Sequence, residues 1–160
     1  MIRNKKVYFA ATALCIISMI FLAGCTGRSG QTINEPEITP DYLIEDYSQQ
    51  LMTDGGEHMT GTVDMQKADN TYTVNFSETD VIPNSNYDEG YYLANTNIYK
   101  EATLGSDARI VLIVDGETAV ANADEFIKHN SEDKIYTVYF LGSSAELIIE
   151  VNPEDIIVEE

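Results

Sequence analysis

The sequence predicts a mainly β protein with one or two short helices, in the α+β class. Two observations lead to this fold class. From Gly61 onward, apolar and polar residues alternate with a period of two along most of the chain, which is typical of half-buried strands. Helical spacing of apolar residues occurs in only two short stretches. A chain of 160 residues is long enough for one domain.

Residues 1–24 have the pattern of an export signal. Arg3, Lys5 and Lys6 form a basic cluster, and the stretch from Val7 to Gly24 contains no charged residue. A basic region followed by an apolar region and then by small residues is typical of a secretory signal peptide. An uncleaved transmembrane helix is the alternative, because about 18 apolar residues lie at the lower limit for spanning a bilayer.

The residues that end this stretch favour the signal peptide. Leu22-Ala23-Gly24-Cys25 resembles the lipobox of bacterial lipoproteins. The resemblance implies cleavage between Gly24 and Cys25, a diacylglyceryl group on the Cys25 sulfur, and acyl chains such as palmitate. The protein would then be held on the outer, extracytoplasmic face of the cell membrane of a Gram-positive bacterium. In a Gram-negative host, Thr26 would permit sorting to the outer membrane. Residues 25–39 are polar and contain Gly and Pro, which predicts a lipidated flexible tether.

Cysteine count and charge narrow the classes of partner. Cys15 would leave with the signal and Cys25 would carry lipid, so we expect no disulfide. Cleavage removes three cations and no acid, which leaves six Lys and Arg residues beside 27 Asp and Glu residues, a net charge of −21. This charge repels phosphate backbones and anionic lipids, so we expect no nucleic-acid partner and attachment to the membrane through lipid alone. It favours a cationic protein or peptide as a partner.

Residues 40–160 form the predicted domain, which begins with a short helix. Thr39 can cap this helix, and Pro40 suits its first position. Gly55-Gly56 ends it. The apolar residues with helical spacing, which should pack on the domain, are Leu43, Ile44, Tyr47 and Leu51.

Short strands with turns between them follow this helix. Residues 61–67 and 71–76 alternate on either side of Ala68-Asp69-Asn70 and predict a hairpin. Residues 82–90 are rich in Asn, Asp, Pro and Gly and predict a loop. Residues 91–99 predict a short strand or an irregular segment.

The second half of the domain contains the most apolar strand. Residues 108–114 are an almost continuous apolar run and predict a central strand, which Asp115-Gly116 turns back toward residues 118–121. Asn122 with Glu125 three residues later predicts the start of a short helix. The last predicted hairpin pairs "IYTVYFL" with "AELIIEV", and Pro153 ends its second strand.

The order of these elements suggests a small, strongly bent antiparallel sheet or a partly closed barrel. The second architecture resembles the OB type, which also places its helix between the third and fourth strands. The N-terminal helix would then cover one opening or one face. An open α+β meander with both helices on one side is the alternative.

Aromatic and amide side chains around the central loop predict a binding patch. Tyr87, Tyr91 and Tyr92 lie beside this loop, with Asn95 and Asn97 shortly after it. Rigid aromatic groups and adaptable amides are typical of recognition surfaces. The alternative for each tyrosine is packing on a strand face.

The same loop has part of the residue pattern of a calcium-binding loop. Asn84, Asn86 and Asp88 place oxygen atoms at alternate positions, as a calcium loop does. An EF-hand would need Gly where Glu89 stands and Glu where Asn95 stands, so only a weak calcium site of another kind is expected, with a solvated turn as the alternative. No other cofactor is expected.

Residues suited to catalysis are few. The chain has two histidines, and no serine lies in a Gly-x-Ser-x-Gly pattern. His129 falls at the end of a predicted helix, where it can cap, and His58 stands near Asp54 and Glu57 as a weak metal set. The sequence therefore favours a non-catalytic binding domain. The alternatives are a small envelope hydrolase or calcium-dependent protein that uses converging carboxylates, or an inhibitory partner of a cationic protein.

A second, looser resemblance covers residues 61–153. The stretches "GTVDM", "GYYLANTN", "LGSDARIVLI", "ADEF", "YTVYF" and "IIEVNP" are similar to a small domain of exported proteins and lipoproteins of Gram-positive bacteria. The resemblance agrees with the expected location and carries over no functional residue.

Overall fold

The computed structural model describes residues 37–157. The predicted signal peptide, the cleavage position at Gly24 and Cys25, and most of the predicted tether lie outside these residues. The described chain forms six strands: β1 (Glu57–Ala68), β2 (Thr71–Pro83), β3 (Tyr91–Val114), β4 (Glu117–Ala121), β5 (Ile135–Leu141) and β6 (Ser144–Val151).

Helical segments are short. The N-terminal helix consists of α1 (Pro40–Tyr42), a π-helical segment (Leu43–Tyr47) and α2 (Ser48–Thr53), while α3 (Ala123–His129) lies between β4 and β5. Thr39 Oγ1 accepts a hydrogen bond from the Tyr42 amide, as its predicted capping role requires. The prediction of a mainly β fold with short helices is confirmed. No helix within residues 37–157 is long and apolar enough to cross a membrane.

Five strands close into a ring of hydrogen-bonded pairs in the order β1-β2-β3-β6-β5, with β5 paired to β1 and β4 added beside β3. The ring agrees with the OB-like alternative and excludes the open meander. The sheet is mixed, because α3 carries the chain across the ring and β6 then returns parallel to β3. The ring is not a regular barrel, since residues 105–108 of β3 face only Glu146 of β6.

The core fills the ring, and the N-terminal helix covers one outer face. Val74, Phe76, Val138 and Ile148 lie fully buried inside, while Phe126 of α3 packs against the same cluster. Outside the ring, Leu43 and Leu51 of the N-terminal helix pack on the outer face of β3 and β6, at Val111, Leu147 and Ile149. These apolar contacts fix the two helices on the sheet.

Gly61 allows β1 to serve two neighbours. Residues 57–61 pair with β5, whereas residues 61–68 pair with β2. A Cβ atom at Gly61 would collide with the Ser77 carbonyl oxygen and would lie 2.8 Å from the Glu78 Cα atom. The close approach of β1 and β2 at this bend therefore requires glycine.

Candidate binding surface

The predicted binding patch lies on a hairpin that extends beyond the ring. β1 pairs with β2 only as far as Glu78, and past that point β2 and β3 pair with each other. We call residues 79–99 the arm. Within residues 37–157, no third strand pairs with β2 beyond Glu78.

A bulge shapes the base of the arm. Ser77 pairs with Tyr99 and Thr79 with Asn95, so residues 96–98 face Glu78 alone. Asn97 has a left-handed backbone (φ 66°), and its amide donates to Asn95 Oδ1 at 2.6 Å. Both asparagines therefore stabilise the local turn, which is a role that asparagine often takes.

The bulge has a consequence that the sequence pattern did not indicate. It displays Ile98 and Tyr99, whose exposed fractions are 49% and 65%. Large apolar side chains with this exposure favour contact with a partner when they lie close together. Sequence periodicity missed Ile98, because a bulge shifts the alternation of faces.

At the tip of the arm, hydrogen bonds hold the loop together. The Asn84 amide donates to the Gly90 carbonyl at 2.7 Å, and Asn84 Oδ1 accepts from the amide and the side chain of Asn86, both at 3.0 Å. Within residues 37–157, no group of three or more His, Cys, Asp or Glu residues could hold a metal ion. A weak calcium site that includes Asp88 stays a prediction.

The structure brings two of the three predicted tyrosines together. Tyr87 and Tyr92 stack with their ring centroids 5.6 Å apart and an interplanar angle of 27°. Tyr91, next along the strand, points to the opposite face. Burial raises the pKa of Tyr91, and the nearby carboxylates Glu89, Glu154 and Asp133 add to this effect. Tyr91 therefore belongs to the side of the arm that faces the domain.

The charge of the arm is uniformly negative. No Lys or Arg occurs from Thr71 to Tyr99, whereas Glu78, Asp80, Asp88 and Glu89 occur in the same stretch. The Glu78 carboxylate accepts a hydrogen bond from Thr96 at 2.7 Å, and the other three acids are exposed. Aromatic faces and carboxylates thus occur together on the arm.

A second polar cluster, which sequence analysis missed, lies between α3 and the end of β6. Glu150 is only 7% exposed, and its carboxylate accepts from the Ile113 amide at 2.8 Å and from Lys134 Nζ. His129 Nε2 lies 2.7 Å from Glu150 Oε2. His129 Nε2 also lies 2.9 Å from Lys134 Nζ, so the three side chains are in mutual contact. The charged residue in the apolar run "LIIEV" was the available signal.

The cluster around Glu150 has a structural role. Burial alone would raise the pKa of Glu150, but the hydrogen bonds from Lys134, the Ile113 amide and His129 lower it overall. A general acid in a hydrolase would need a raised pKa. Glu150 is instead held ionised by its contacts with Lys134, the Ile113 amide and His129.

The residues of the other predicted metal site, which include Glu57 and His58, make separate contacts. Glu57 forms an ion pair with Lys100, and Lys100 lies over the Phe140 ring. The exposed His58 ring stacks on Tyr139 with centroids 5.4 Å apart. These contacts hold Glu57 and His58 apart from a shared ligand position.

Comparison with known proteins adds no relative: no family model, no curated protein and no solved structure matches this chain.

Proposed function

We propose that this chain is an exported lipoprotein whose domain is a non-catalytic module that binds a cationic protein or peptide segment on the arm. The stacked pair of exposed Tyr87 and half-buried Tyr92 on an acidic hairpin carries the proposal. An arginine or lysine side chain over a tyrosine face gains about 0.5–1 kcal/mol at an exposed site. The carboxylates of Asp88 and Glu89 add long-range attraction.

The shape of the arm supports the same role. Tyr87 is 51% exposed, and Ile98 and Tyr99 add apolar contact area at the base of the arm. Tyrosine gives a large contact area while losing little conformational entropy, because it has only two side-chain torsions. The hydrogen-bonded loop and the bulge hold these groups in place before a partner arrives, which lowers the entropic cost of binding.

The proposed lipid on Cys25 would hold the domain at the cell membrane. The lipobox supports this part of the proposal, and the acidity of the domain fits it, since charge cannot attract the domain to anionic lipids. A tether of residues 25–39 would reach about 20 Å at roughly 5–6 Å × √n. The arm would then be displayed outside the membrane to partners at the cell envelope.

Binding of a short cationic probe tests the role of the arm. We expect the peptide acetyl-Arg-Gly-Arg-amide, titrated into the full chain in a non-ionic detergent, to shift NMR resonances mainly at Tyr87, Tyr92 and Tyr99. Replacing Tyr87 and Tyr92 together by Ala should weaken binding at least threefold, whereas replacing both by Phe should leave it unchanged, because the ring faces remain.

A charge-matched pair of variants separates the arm from general attraction. The double variant Asp88→Asn with Glu89→Gln should weaken binding of the probe. Asp69→Asn with Glu132→Gln removes the same charge at exposed positions outside the arm and should weaken it less. Equal losses in the two double variants, or resonance shifts spread over the whole domain, would show that the arm has no special role.

A further inference from the structure

β4 presents an open edge. Within residues 37–157, β4 is hydrogen-bonded to β3 and to no other strand. Edge strands expose unpaired backbone donors and acceptors, and proteins often protect them with Lys, Pro or a bulge. The β4 sequence Glu117–Ala121 contains no Lys or Pro, and its pairing with β3 is regular. Val120 on this edge is 43% exposed.

Two cavities border the open edge. One of about 440 Å³ lies between β4 and α3, and Leu112, Val114 and Ala119 give it an apolar wall. The other, of about 670 Å³, is lined by the start of β2, by the bulged part of β3 and by Ile38, and it reaches β4 and α3 at residues 120–123. Val120 and Ala121 border both cavities. A strand laid along β4 would place side chains of one face into the apolar cavity, since successive side chains alternate.

The charges around the β4 edge indicate which kind of partner would bind there. The acidic groups are Asp115 in the turn before β4, Glu117 at its start and Glu125 beside the apolar cavity. The basic groups are Lys128 and the half-buried His129 beside the same cavity and Arg109 beside the other. The surroundings are thus acidic on balance, like the domain as a whole. A second copy of this chain would bring like charge to the edge, whereas a cationic segment would be attracted to it.

We propose that the free edge of β4 binds an extended cationic polypeptide segment, which adds to the sheet as a further strand. Main-chain hydrogen bonds would provide affinity, and the apolar cavity would select apolar side chains at alternate positions of the segment. This surface is distinct from the arm, so the inference goes beyond the function proposed above and is tested separately from it.

An alternating peptide provides the probe. We expect an eight-residue peptide of alternating Lys and Val to bind the full chain in a non-ionic detergent, measured by calorimetry. The same peptide with N-methyl groups on alternate residues keeps its charge and side chains but loses strand hydrogen bonds, so it should bind at least tenfold more weakly. Equal binding of the two peptides would contradict strand addition.

Two lysine variants locate the site. Val120→Lys should weaken binding of the unmodified peptide about tenfold, because it places a cation on the β4 edge. Ile127→Lys adds the same charge at an exposed position of α3 outside both cavities and should change binding less than threefold. The arginine probe of the arm should bind both variants alike, which separates a failure here from a failure of the proposed function. Equal losses for the alternating peptide in the two variants would contradict the site.

Hydrogen exchange tests the wild-type chain without any variant. Successive amides of an antiparallel edge strand point alternately toward its neighbour and toward the open edge. Saturating alternating peptide should slow exchange at least tenfold at those amides from Thr118 to Ala121 that point away from β3. Protection of these amides before peptide is added would show that the chain itself or a second copy covers the edge, and this would overturn the proposal. Sedimentation of the chain as a dimer that Val120→Lys dissociates would overturn it as well.

Discussion

Glu150 of β6 shows how a single buried charge can hold several elements together. Its carboxylate accepts hydrogen bonds from the Ile113 amide of β3 and from Lys134, just before β5, and it contacts His129 at the end of α3. A buried carboxylate without these partners would be costly, but each donor offsets part of the desolvation. Nearby, Tyr136 donates to Asn130 Oδ1 at 2.9 Å, and Asn130 donates to the Val63 carbonyl at 2.7 Å. Polar bonds therefore close the ring at this end.

We expect Glu150→Gln to lower the free energy of unfolding by about 1–3 kcal/mol at pH 7, because it weakens charge-assisted hydrogen bonds to buried donors. The pKa of Glu150 is lowered in the folded protein. Its contribution is therefore fully present above the unfolded pKa of about 4.3 and is lost as pH falls through the folded pKa. The stability difference between wild type and variant should shrink below pH 4 in urea titrations.

The exposed Glu154 supplies the control for this effect. Glu154→Gln should change the free energy of unfolding by less than about 0.5 kcal/mol at either pH, as surface substitutions usually do. A Glu150→Gln difference that stays constant from pH 7 to pH 3 would show that packing, and not the ionised carboxylate, accounts for the loss.

At the scale of elements, the bend in β1 determines whether the ring can close. Only the close approach at Gly61 lets one half of β1 pair with β2 and the other half with β5. The bulge at residues 105–108 has a comparable role in β3, since it separates the part paired with β2 from the part paired with β4. Both irregularities turn a strand from one neighbour to the next.

Gly61→Ala should destabilise the protein by about 3 kcal/mol or more, because the new methyl group meets backbone atoms that cannot rotate away. Gly142→Ala is the matched control: Gly142 has a positive φ of 62° but open space around it, so the cost should be about 1 kcal/mol. Thermal unfolding of both variants would measure the two costs. Similar melting temperatures would show that β1 can shift at Gly61 without breaking the ring.

Local patterns predicted most elements, and long-range pairing explains what they missed. Alternation predicted β1 and the start of β2, and the capping box predicted α3, whose Asn122 and Glu125 bond each other's backbone amides as expected. β3 was predicted as separate pieces, because its middle is polar and bulged. The parallel pairing of β3 with β6 depends on contacts about 40 residues apart, which periodicity does not encode.

The sequence predicts the candidate site only where its residues are close together in the chain. The tyrosines were found because they are close in sequence, and Tyr87 and Tyr92 do meet. Tyr91 lies on the other face of the strand, and the asparagines serve the bulge, which depends on how β2 pairs with β3. The cluster around Glu150 joins residues up to 37 positions apart, so no local motif could indicate it.

At the scale of the whole molecule, the charge of the domain and the proposed lipid attachment complement each other. A domain with this excess of acid stays away from anionic lipid surfaces, so a covalent anchor is needed to keep it at a membrane. Two acyl chains or more give stable anchoring where one would be marginal. The same negative field would raise the rate at which the proposed cationic partner meets the domain, and salt would weaken this effect.

The anchoring hypothesis depends on one sulfur atom, and the chain contains its own control. Expressed in a bacterium fed a labelled palmitate analogue, the wild-type chain should carry the label, fractionate with membranes and lack residues 1–24. Cys25→Ser should carry none, because a hydroxyl cannot form the thioether. Cys15→Ser should behave like wild type, since Cys15 lies in the stretch that would be removed. Label on Cys25→Ser, or none on the wild type, would contradict lipidation and favour the uncleaved transmembrane helix.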